Sequence, residues 1–299
     1  MTYDDIAAIF LGSLAEPIAE PAVEPTPARR LRDALEPIGT QGWWSRAAGE
    51  RLDALDVDFF QGYVWGRAAS LGEPPAALVA ATFGVFQSGM IGSVYDVGMA
   101  CVTRDDVLAA RADGGAASVG SVASDAECAA IADPLFDALD GLDGLGRPLF
   151  SALRSLPVPG SPSGRLWRAA ELVCEHRGDG HLAALVGADL DAAQANVLTE
   201  RWLGFGLGDY SGTRGFGTEA LAGAVRNLNE RGWMYGDDLT DDGREARAAI
   251  EAATDASQAT LIAACGLGLD DIVAGAVLIS RRLIEARSFP ADPRKRAGG

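Results

Sequence analysis

The chain has 299 residues, 48% of them hydrophobic and 22% charged, which is typical of a folded globular protein and excludes a disordered or fibrous chain. Its length corresponds to about two domains of ordinary size. The 42 acidic residues outnumber the 25 basic ones, and the formal net charge is −17. A surface this acidic repels phosphate backbones and anionic membranes, so binding to either would require a local cluster of basic residues.

Cysteine use and the N-terminal sequence predict a cytoplasmic protein that is not inserted in a membrane. The four cysteines are far apart, form no C-x-x-C pair and lie in apolar segments, as expected of free thiols in a reducing compartment. The first residues include Asp4 and Asp5 and lack the basic region of a secretory signal peptide. The longest apolar stretch, residues 76–102, is interrupted by Gln87, Asp96 and several glycines, which indicates buried helices.

From residue 28 onward the pattern is helical almost everywhere, because apolar residues recur at three- and four-residue steps and good helix formers dominate. Two proline-rich segments interrupt it: a Glu-Pro repeat over 14–27 and the sequence SLPVPGSPSG over 155–164. A glycine- and serine-rich stretch over 113–124 is interpreted as a surface loop. The predicted organisation is a flexible Glu-Pro-rich tether over 1–27, a helical domain over 28–154, a second domain over 165–290 and a polar tail over 291–299.

The second domain contains the one β pattern of the chain. A helix over 218–231 is followed by Gly232, a residue suited to ending a helix, and by a hairpin over 233–240. Thr240 can then cap a helix over 241–254. Helix, hairpin and helix in this order are typical of the second half of a winged helix. The sequence therefore predicts a mainly α fold, in which a helical N-terminal domain precedes a C-terminal winged-helix domain with one short β-hairpin.

Four segments resemble a known family: RLRDALEPI (30–38), FFQGYVWGRAASLG (59–72), GRPLF (146–150) and LWRAAELVCEHRGDGHLAALV (166–186). They resemble the SalK-like helix-turn-helix family, a largely uncharacterised group with a MarR-like winged-helix domain. The resemblance covers about residues 28–287 and implies DNA binding. The chain departs from the family pattern over residues 39–42, where Gly-Thr-Gln-Gly stands in place of a segment that should contain a histidine.

The charges of the winged-helix segment argue against DNA binding. The presumed recognition helix offers Arg226 and Arg231 as cations and also carries two glutamates. The hairpin and the start of the next helix are acidic, with aspartates at positions 237, 238, 241 and 242. Specific DNA complexes typically neutralise about six or more phosphates with lysine and arginine. DNA is therefore a disfavoured partner, although a homodimer would be one way to assemble a basic patch from arginines elsewhere in the chain.

Both histidines of the chain lie in one short segment, Glu175-His176-Arg177-Gly178-Asp179-Gly180-His181. On an unbroken helix, side chains five residues apart point about 140° away from each other. We expect Gly178 to break the helix and Asp179 to cap a new one, so that the two imidazoles converge across the bend.

Several roles remain open for this cluster. As a ligand-binding or catalytic site, it would use His176, His181 and Asp179 for acid–base chemistry, and Arg177 with Glu175 to hold the ligand. As a metal site, it would place two imidazoles and a carboxylate on a divalent ion, although this set is short of ligands. As a packing element, it would only fix the angle between two helices.

Aromatic residues of the first domain, namely Trp43, Trp44, Tyr63 and Trp65, either line an apolar pocket or form the domain core. No cofactor is identified, since the Gly204-x-Gly206-x-Gly208 stretch follows no strand of a parallel sheet and does not indicate a dinucleotide site. The leading hypothesis is a protein of secondary metabolism that binds a small organic molecule between its two domains, with enzymatic conversion of that molecule left open. The alternative is a ligand-responsive transcriptional regulator of the MarR type.

Overall fold

The computed structural model describes residues 3–11, 25–290 and 292, and within them the fold is mainly α, as the sequence predicts. The helices are α1 (Tyr3–Phe10), α2 (Pro27–Gly39), α3 (Gln41–Trp44), α4 (Arg46–Asp53), α5 (Phe59–Ala68), α6 (Ala76–Phe83), α7 (Ser88–Cys101), α8 (Arg104–Gly120), α9 (Asp125–Asp140), α10 (Pro148–Arg154), α11 (Pro162–Gly187), α12 (Ala192–Trp202), α13 (Thr218–Glu230), α14 (Asp241–Ala256), α15 (Ala259–Cys265) and α16 (Leu269–Glu285). The strands of the small sheet are β1 (Met234–Tyr235) and β2 (Asp238–Leu239).

Helix α11 is the centre of the fold, and α2, α8, α9, α10 and α14 pack around it. Trp167 of α11 is fully buried in a core that also contains Leu35 of α2, Leu135 of α9 and Ile279 of α16. Burial of each such side chain stabilises the fold by about 1.5–3 kcal/mol. This core combines residues from both sides of the proline-rich connection at 155–164, so the N-terminal and C-terminal segments share one apolar interior.

The predicted helix break at Gly178 is wrong, because α11 runs without interruption through all 26 of its residues. Gly180 inside it serves close packing instead, whereas a Cβ at Gly178 would make only an ordinary contact with Glu175, at 3.8 Å. A Cβ at Gly180 would collide with Ser257 at the end of α14, so only glycine allows this approach. The cost of glycine in a helix, about 1 kcal/mol relative to alanine, is offset by the packing that it permits.

The predicted surface loop over 113–124 is wrong for residues 113–120, which are helical, and only residues 121–124 form a turn. Helix α8 continues to Gly120, and a Cβ at Gly115 would lie 2.6 Å from Nε1 of the buried Trp167. Glycine at these positions marks close contact between helices and not a turn.

The predicted hairpin is confirmed. Strands β1 and β2 are antiparallel, with Met234 paired to Leu239. Gly232 adopts φ +73°, a conformation that favours glycine at the end of a helix, and the Thr240 side chain accepts a hydrogen bond from the Gly243 N–H at the start of α14. Helices α12 and α13, the hairpin and α14 follow each other as in a winged helix.

A connection of 15 residues, 203–217, separates α12 from α13. The buried carboxylate of Glu200 organises it by accepting hydrogen bonds from the N–H groups of Tyr210 (2.5 Å) and Ser211 (2.8 Å). The Gln87 N–H donates to the Arg214 carbonyl at 2.9 Å, which attaches the connection to the start of α7. Side chains of this connection therefore meet those of the N-terminal helices.

Part of the range predicted as a tether packs on the fold. The hydroxyl of Tyr3 in α1 donates to the Trp44 carbonyl (3.2 Å), and Asp4 pairs with Arg46 at 2.9 Å. Helix α2 then begins at Pro27. Residues 12–24, with most of the Glu-Pro repeat, and most of the predicted polar tail lie outside the described residues.

One stretch of the described chain, Ala259–Glu285, is long and apolar enough to cross a membrane, by length and composition alone. A 3₁₀ turn at Gly266–Gly268 divides it into α15 and α16. One side of α16, including Ile272 and Leu283, is buried against α2 and α9.

Buried charges join α11 to α2 and α14. Glu251 of α14 accepts hydrogen bonds from Arg247 (2.6 Å) on its own helix, from Arg177 (3.0 Å) of α11 and from Arg29 (3.2 Å) of α2. Burial alone would raise the pKa of Glu251, but the three guanidinium groups lower it to about 2. One carboxylate thus joins cations from three helices, and Asp33 and Asp255 supply further negative charge to Arg29 and Arg177.

We expect Glu251→Ala to lower the free energy of unfolding by about 3–5 kcal/mol, because it leaves the buried Arg247 guanidinium without a carboxylate and removes one ion pair each from Arg177 and Arg29. Urea unfolding followed by circular dichroism measures this loss. Glu245→Ala, which removes an exposed glutamate from the same helix, is the matched control and should change stability by less than about 0.5 kcal/mol. Equal losses in the two variants would contradict a central role for Glu251.

Candidate functional site

A cleft lies where the N-terminal helices, α11 and the 203–217 connection meet. It has an inner chamber of about 210 Å³ and an outer chamber of about 380 Å³. Their linings have seven residues in common: Glu36, Thr40, Trp43, Tyr63, Phe86, Tyr210 and Arg214. The two chambers therefore adjoin.

The outer chamber is lined mainly by aromatic rings. Trp44 lies 5.4 Å from Phe59, between ring centroids, and Trp43 lies 5.4 Å from Tyr63 with its ring edge-on. Phe10 of α1 and Phe205 of the 203–217 connection complete this wall. Three of the four aromatic residues singled out in the sequence, Trp43, Trp44 and Tyr63, line the cleft.

The fourth, Trp65, does not line the cleft, and its expected place in a pocket is wrong. Its side chain is 1% exposed, its Nε1–H donates to the Val102 carbonyl at 3.1 Å, and its ring packs against Tyr95. Because residues 63 and 65 of a helix point in different directions, only one of them can face the cleft.

The inner chamber is lined by charged groups that are mostly paired. Arg67 of α5 makes two hydrogen bonds of 2.8 Å to the two carboxylate oxygens of Glu175. Arg32 of α2 donates to Glu36 at 3.0 Å, and Arg177 pairs with Glu251 outside the chamber. Such charge-assisted pairs hold long side chains in fixed positions at the chamber wall. Glu175 and Arg177, which the sequence predicts as ligand-binding residues, thus lie at the cleft.

The two imidazoles do not share a cavity, so their expected convergence is wrong. Because α11 is unbroken, His176 and His181 point to different sides of it. His176 is outside the cleft lining: its Nδ1 lies 2.7 Å from Gln258 Oε1, and its ring packs edge-on against Phe150. Burial lowers the pKa of His176 to about 4, so the ring is neutral near pH 7.

His181 lines the inner chamber, and its hydrogen bond fixes its tautomer. The Thr254 hydroxyl donates to the Ile250 carbonyl at 2.8 Å, so its oxygen can only accept from His181 Nδ1–H, which lies 3.0 Å away. The proton is then on Nδ1, and Nε2 carries a lone pair. Burial lowers the pKa of His181 to about 3, with Arg247 adding to the effect. The ring is a neutral hydrogen-bond acceptor at the cleft.

Asp179 caps a helix, but not the one expected. It lies inside α11, and its Oδ2 accepts a hydrogen bond of 3.0 Å from the Phe150 N–H in the first turn of α10. Burial raises the pKa of Asp179 to about 6, and the nearby charge of Glu175 adds to this rise. Asp179 is absent from the cleft lining and serves to attach α10 to α11.

The sequence did not single out Arg214, which lines both chambers from the 203–217 connection. Its guanidinium lies over the rings of Phe86 (4.7 Å) and Tyr210 (4.5 Å). Arg67 and Tyr210 were also missed. An arginine within a glycine-rich connection was a possible sign of a ligand-binding residue. The local sequence did not show, however, that this connection reaches the N-terminal helices.

No group of three or more His, Cys, Asp or Glu residues in the described ranges is arranged to hold a metal ion. The set suggested by the sequence is dispersed because His176, Asp179 and His181 each bond to a different partner.

On the surface around α13 and the hairpin, arginine side chains that could bind a phosphate are bonded to groups of the protein itself. Arg231 donates to the carbonyls of Ala188 and Asp189 at the end of α11. Arg201 is bonded to Asp238 of the hairpin at 3.1 Å. The aspartates at positions 237, 238, 241 and 242 are all exposed. This face is acidic, as the sequence indicates.

The raised pKa of Asp179 gives stability a pH dependence. In the folded state the Asp179 carboxyl binds its proton more tightly than in the unfolded state. The contribution of this proton binding to the free energy of unfolding is therefore full below about pH 4 and is lost as pH rises through 6. Asp179→Asn keeps an oxygen acceptor for the Phe150 N–H and removes the charge. The free energy of unfolding of this variant, relative to that of the natural protein, should rise by about 1–3 kcal/mol between pH 4.5 and pH 8. Urea unfolding of both proteins at the two pH values measures this change.

Asp179→Ala is the matched comparison. Without an acceptor for the first turn of α10, it should be less stable than Asp179→Asn by about 1 kcal/mol at both pH values. If the stability of Asp179→Asn relative to the natural protein is the same at the two pH values, Asp179 has an ordinary pKa.

The comparisons with known proteins give one match. The model of a helix-turn-helix family matches residues 28–290, which is most of the chain. No curated protein matches the chain at a significant level, and no solved structure does. The matched range includes α12, α13 and the hairpin together with the N-terminal helices that line the cleft, except α1. The chain therefore belongs to this helix-turn-helix family.

Proposed function

We propose that this protein binds a small organic molecule in the cleft, with its apolar rings in the outer chamber and a hydrogen-bonding end in the inner chamber. The observation that carries the proposal is the cleft itself. Aromatic walls next to a few fixed polar groups are typical of small-molecule sites. The finer assignment to SalK-like proteins, with their MarR-like domain, is part of this proposal and rests on the four resembling segments.

His181 is the residue that we propose to select the inner end of the ligand. Its Nε2 lone pair can accept a hydrogen bond from a ligand hydroxyl or N–H. With a pKa lowered to about 3, the ring is a weak base near pH 7, which favours recognition over proton transfer. Arg177 and Glu175, each held by a partner, would shape the chamber around that end.

Binding of 2-naphthol, an aromatic molecule with one hydroxyl donor, tests the proposal by isothermal titration calorimetry. We expect Trp44→Ala to weaken binding about tenfold, because an aromatic contact in the outer chamber is lost. His181→Asn should weaken it about three- to tenfold through the lost hydrogen bond.

The chain offers a matched control for each variant. Trp233→Ala removes a half-buried tryptophan of the hairpin, and His176→Asn removes the buried histidine that is outside the cleft lining. Both should bind 2-naphthol as the natural protein does once circular dichroism confirms the fold. No binding by the natural protein, or equal losses in test and control variants, would contradict the proposal.

A second candidate function is ligand-responsive DNA binding, which is favoured by membership of a helix-turn-helix family. In this case α13 would lie in the major groove, and the acidic hairpin would have to avoid the phosphates. The engaged Arg231 and Arg201 make it the weaker candidate.

A mobility-shift assay on the DNA upstream of the protein's own gene, over a salt series, separates the two functions. We expect no specific retention. A specific complex that weakens steeply with salt would favour the regulator, because neutralised phosphates release counterions on binding.

A further inference from the structure

We propose that Arg214 anchors a single carboxylate of the ligand, so that the cleft takes an aromatic carboxylic acid. This inference rests on the proposed function and names the class of molecule that the cleft binds.

The first observation is a difference between Arg214 and the other arginines of the inner chamber. Arg32, Arg67 and Arg177 each form an ion pair with a carboxylate of the protein. Arg214 forms no ion pair with any residue in the described part of the chain, although it is only partly exposed. A guanidinium that is shielded from water and lacks an anion carries an uncompensated desolvation free energy, which an anionic ligand would offset.

The second observation is that the Arg214 side chain is held in place with donor capacity to spare. Phe86 and Tyr210 lie against the guanidinium, and Nη2 donates to the Tyr210 hydroxyl at 2.9 Å. Nη1 has only a long contact of 3.4 Å with Thr213, and Nε is buried without a hydrogen bond. The planar fork of a guanidinium matches the two oxygens of a carboxylate, and little side-chain freedom would be lost on binding.

The third observation is the position of Arg214 between the chambers. A carboxylate bound there would leave its ring in the outer chamber, next to Trp43 and Tyr63. Glu36 and Asp209 also line that chamber, and their negative charges disfavour a second charge on the ligand. The site therefore fits an aromatic monocarboxylate better than a phosphate ester.

The test compares 2-naphthoate with 2-naphthamide, which has the same ring and nearly the same shape but no charge. For the natural protein, calorimetry should show naphthoate binding at least about tenfold tighter than naphthamide, with the preference reduced by salt. Equal affinities, or binding of the amide alone, would overturn the inference without any variant being needed.

Variants locate the charge that recognises the acid. Arg214→Gln should remove the preference for naphthoate, and Arg214→Lys should restore part of it. Arg226→Gln is the matched control, since it removes an exposed arginine outside the cleft and changes the net charge equally. A preference that survives in Arg214→Gln, or that is lost equally in Arg226→Gln, would overturn the assignment.

The two proposals fail in different ways. If the natural protein and Arg214→Gln both bind 2-naphthol but neither prefers naphthoate, the cleft binds ligands and Arg214 is not the anchor. If the natural protein binds none of the three probes, the proposed function itself fails, and the inference fails with it.

Discussion

The fold depends on the neutralisation of charges carried by one buried helix. Helix α11 passes through the centre of the molecule with arginines, acidic residues and both histidines among its buried side chains. A buried charge without a partner is costly, so each neighbouring helix must supply a complementary group. Arg111 of α8 supplies it to Glu171 at 2.5 Å, Arg67 of α5 to Glu175, and Glu251 of α14 to Arg177. These pairings fix how the N-terminal and C-terminal segments pack together.

The same pairings separate structural groups from those available to a ligand. His176 and Asp179 bond to Gln258 and to the start of α10, and they attach those elements to α11. His181 lines the inner chamber with its Nδ1 bonded to Thr254, and Arg214 keeps donor capacity between the chambers, since its Nε is buried without a hydrogen bond. At the cleft, therefore, two polar groups are held in fixed positions and retain hydrogen-bonding capacity for a ligand. That combination favours ligand recognition.

The elements that the sequence predicts well are those set by local chemistry. Thr240 caps α14 and Gly232 ends α13 because side chain and backbone act within a few residues. Gly115 misled because a glycine that breaks a helix and a glycine that lets a neighbour approach have the same local sequence. Gly178 misled because α11 continues through it although no neighbour requires a glycine there. Arg67 and Arg214 could not be placed at the cleft from sequence, because they are far apart in the chain and only the tertiary fold brings them to one chamber.

Nuclear magnetic resonance of the protein labelled with ¹⁵N-histidine tests the central claim most directly, since the chain has only two histidines. The account predicts two neutral rings from pH 8 to pH 5, each protonated on Nδ1. Addition of 2-naphthol should shift the Nε2 signal of His181 and leave that of His176 unchanged, with His176→Asn providing the assignment. If the signals of both rings shift together, the two imidazoles share one binding site, which contradicts the account. If neither signal shifts at saturating 2-naphthol, His181 does not bind the ligand.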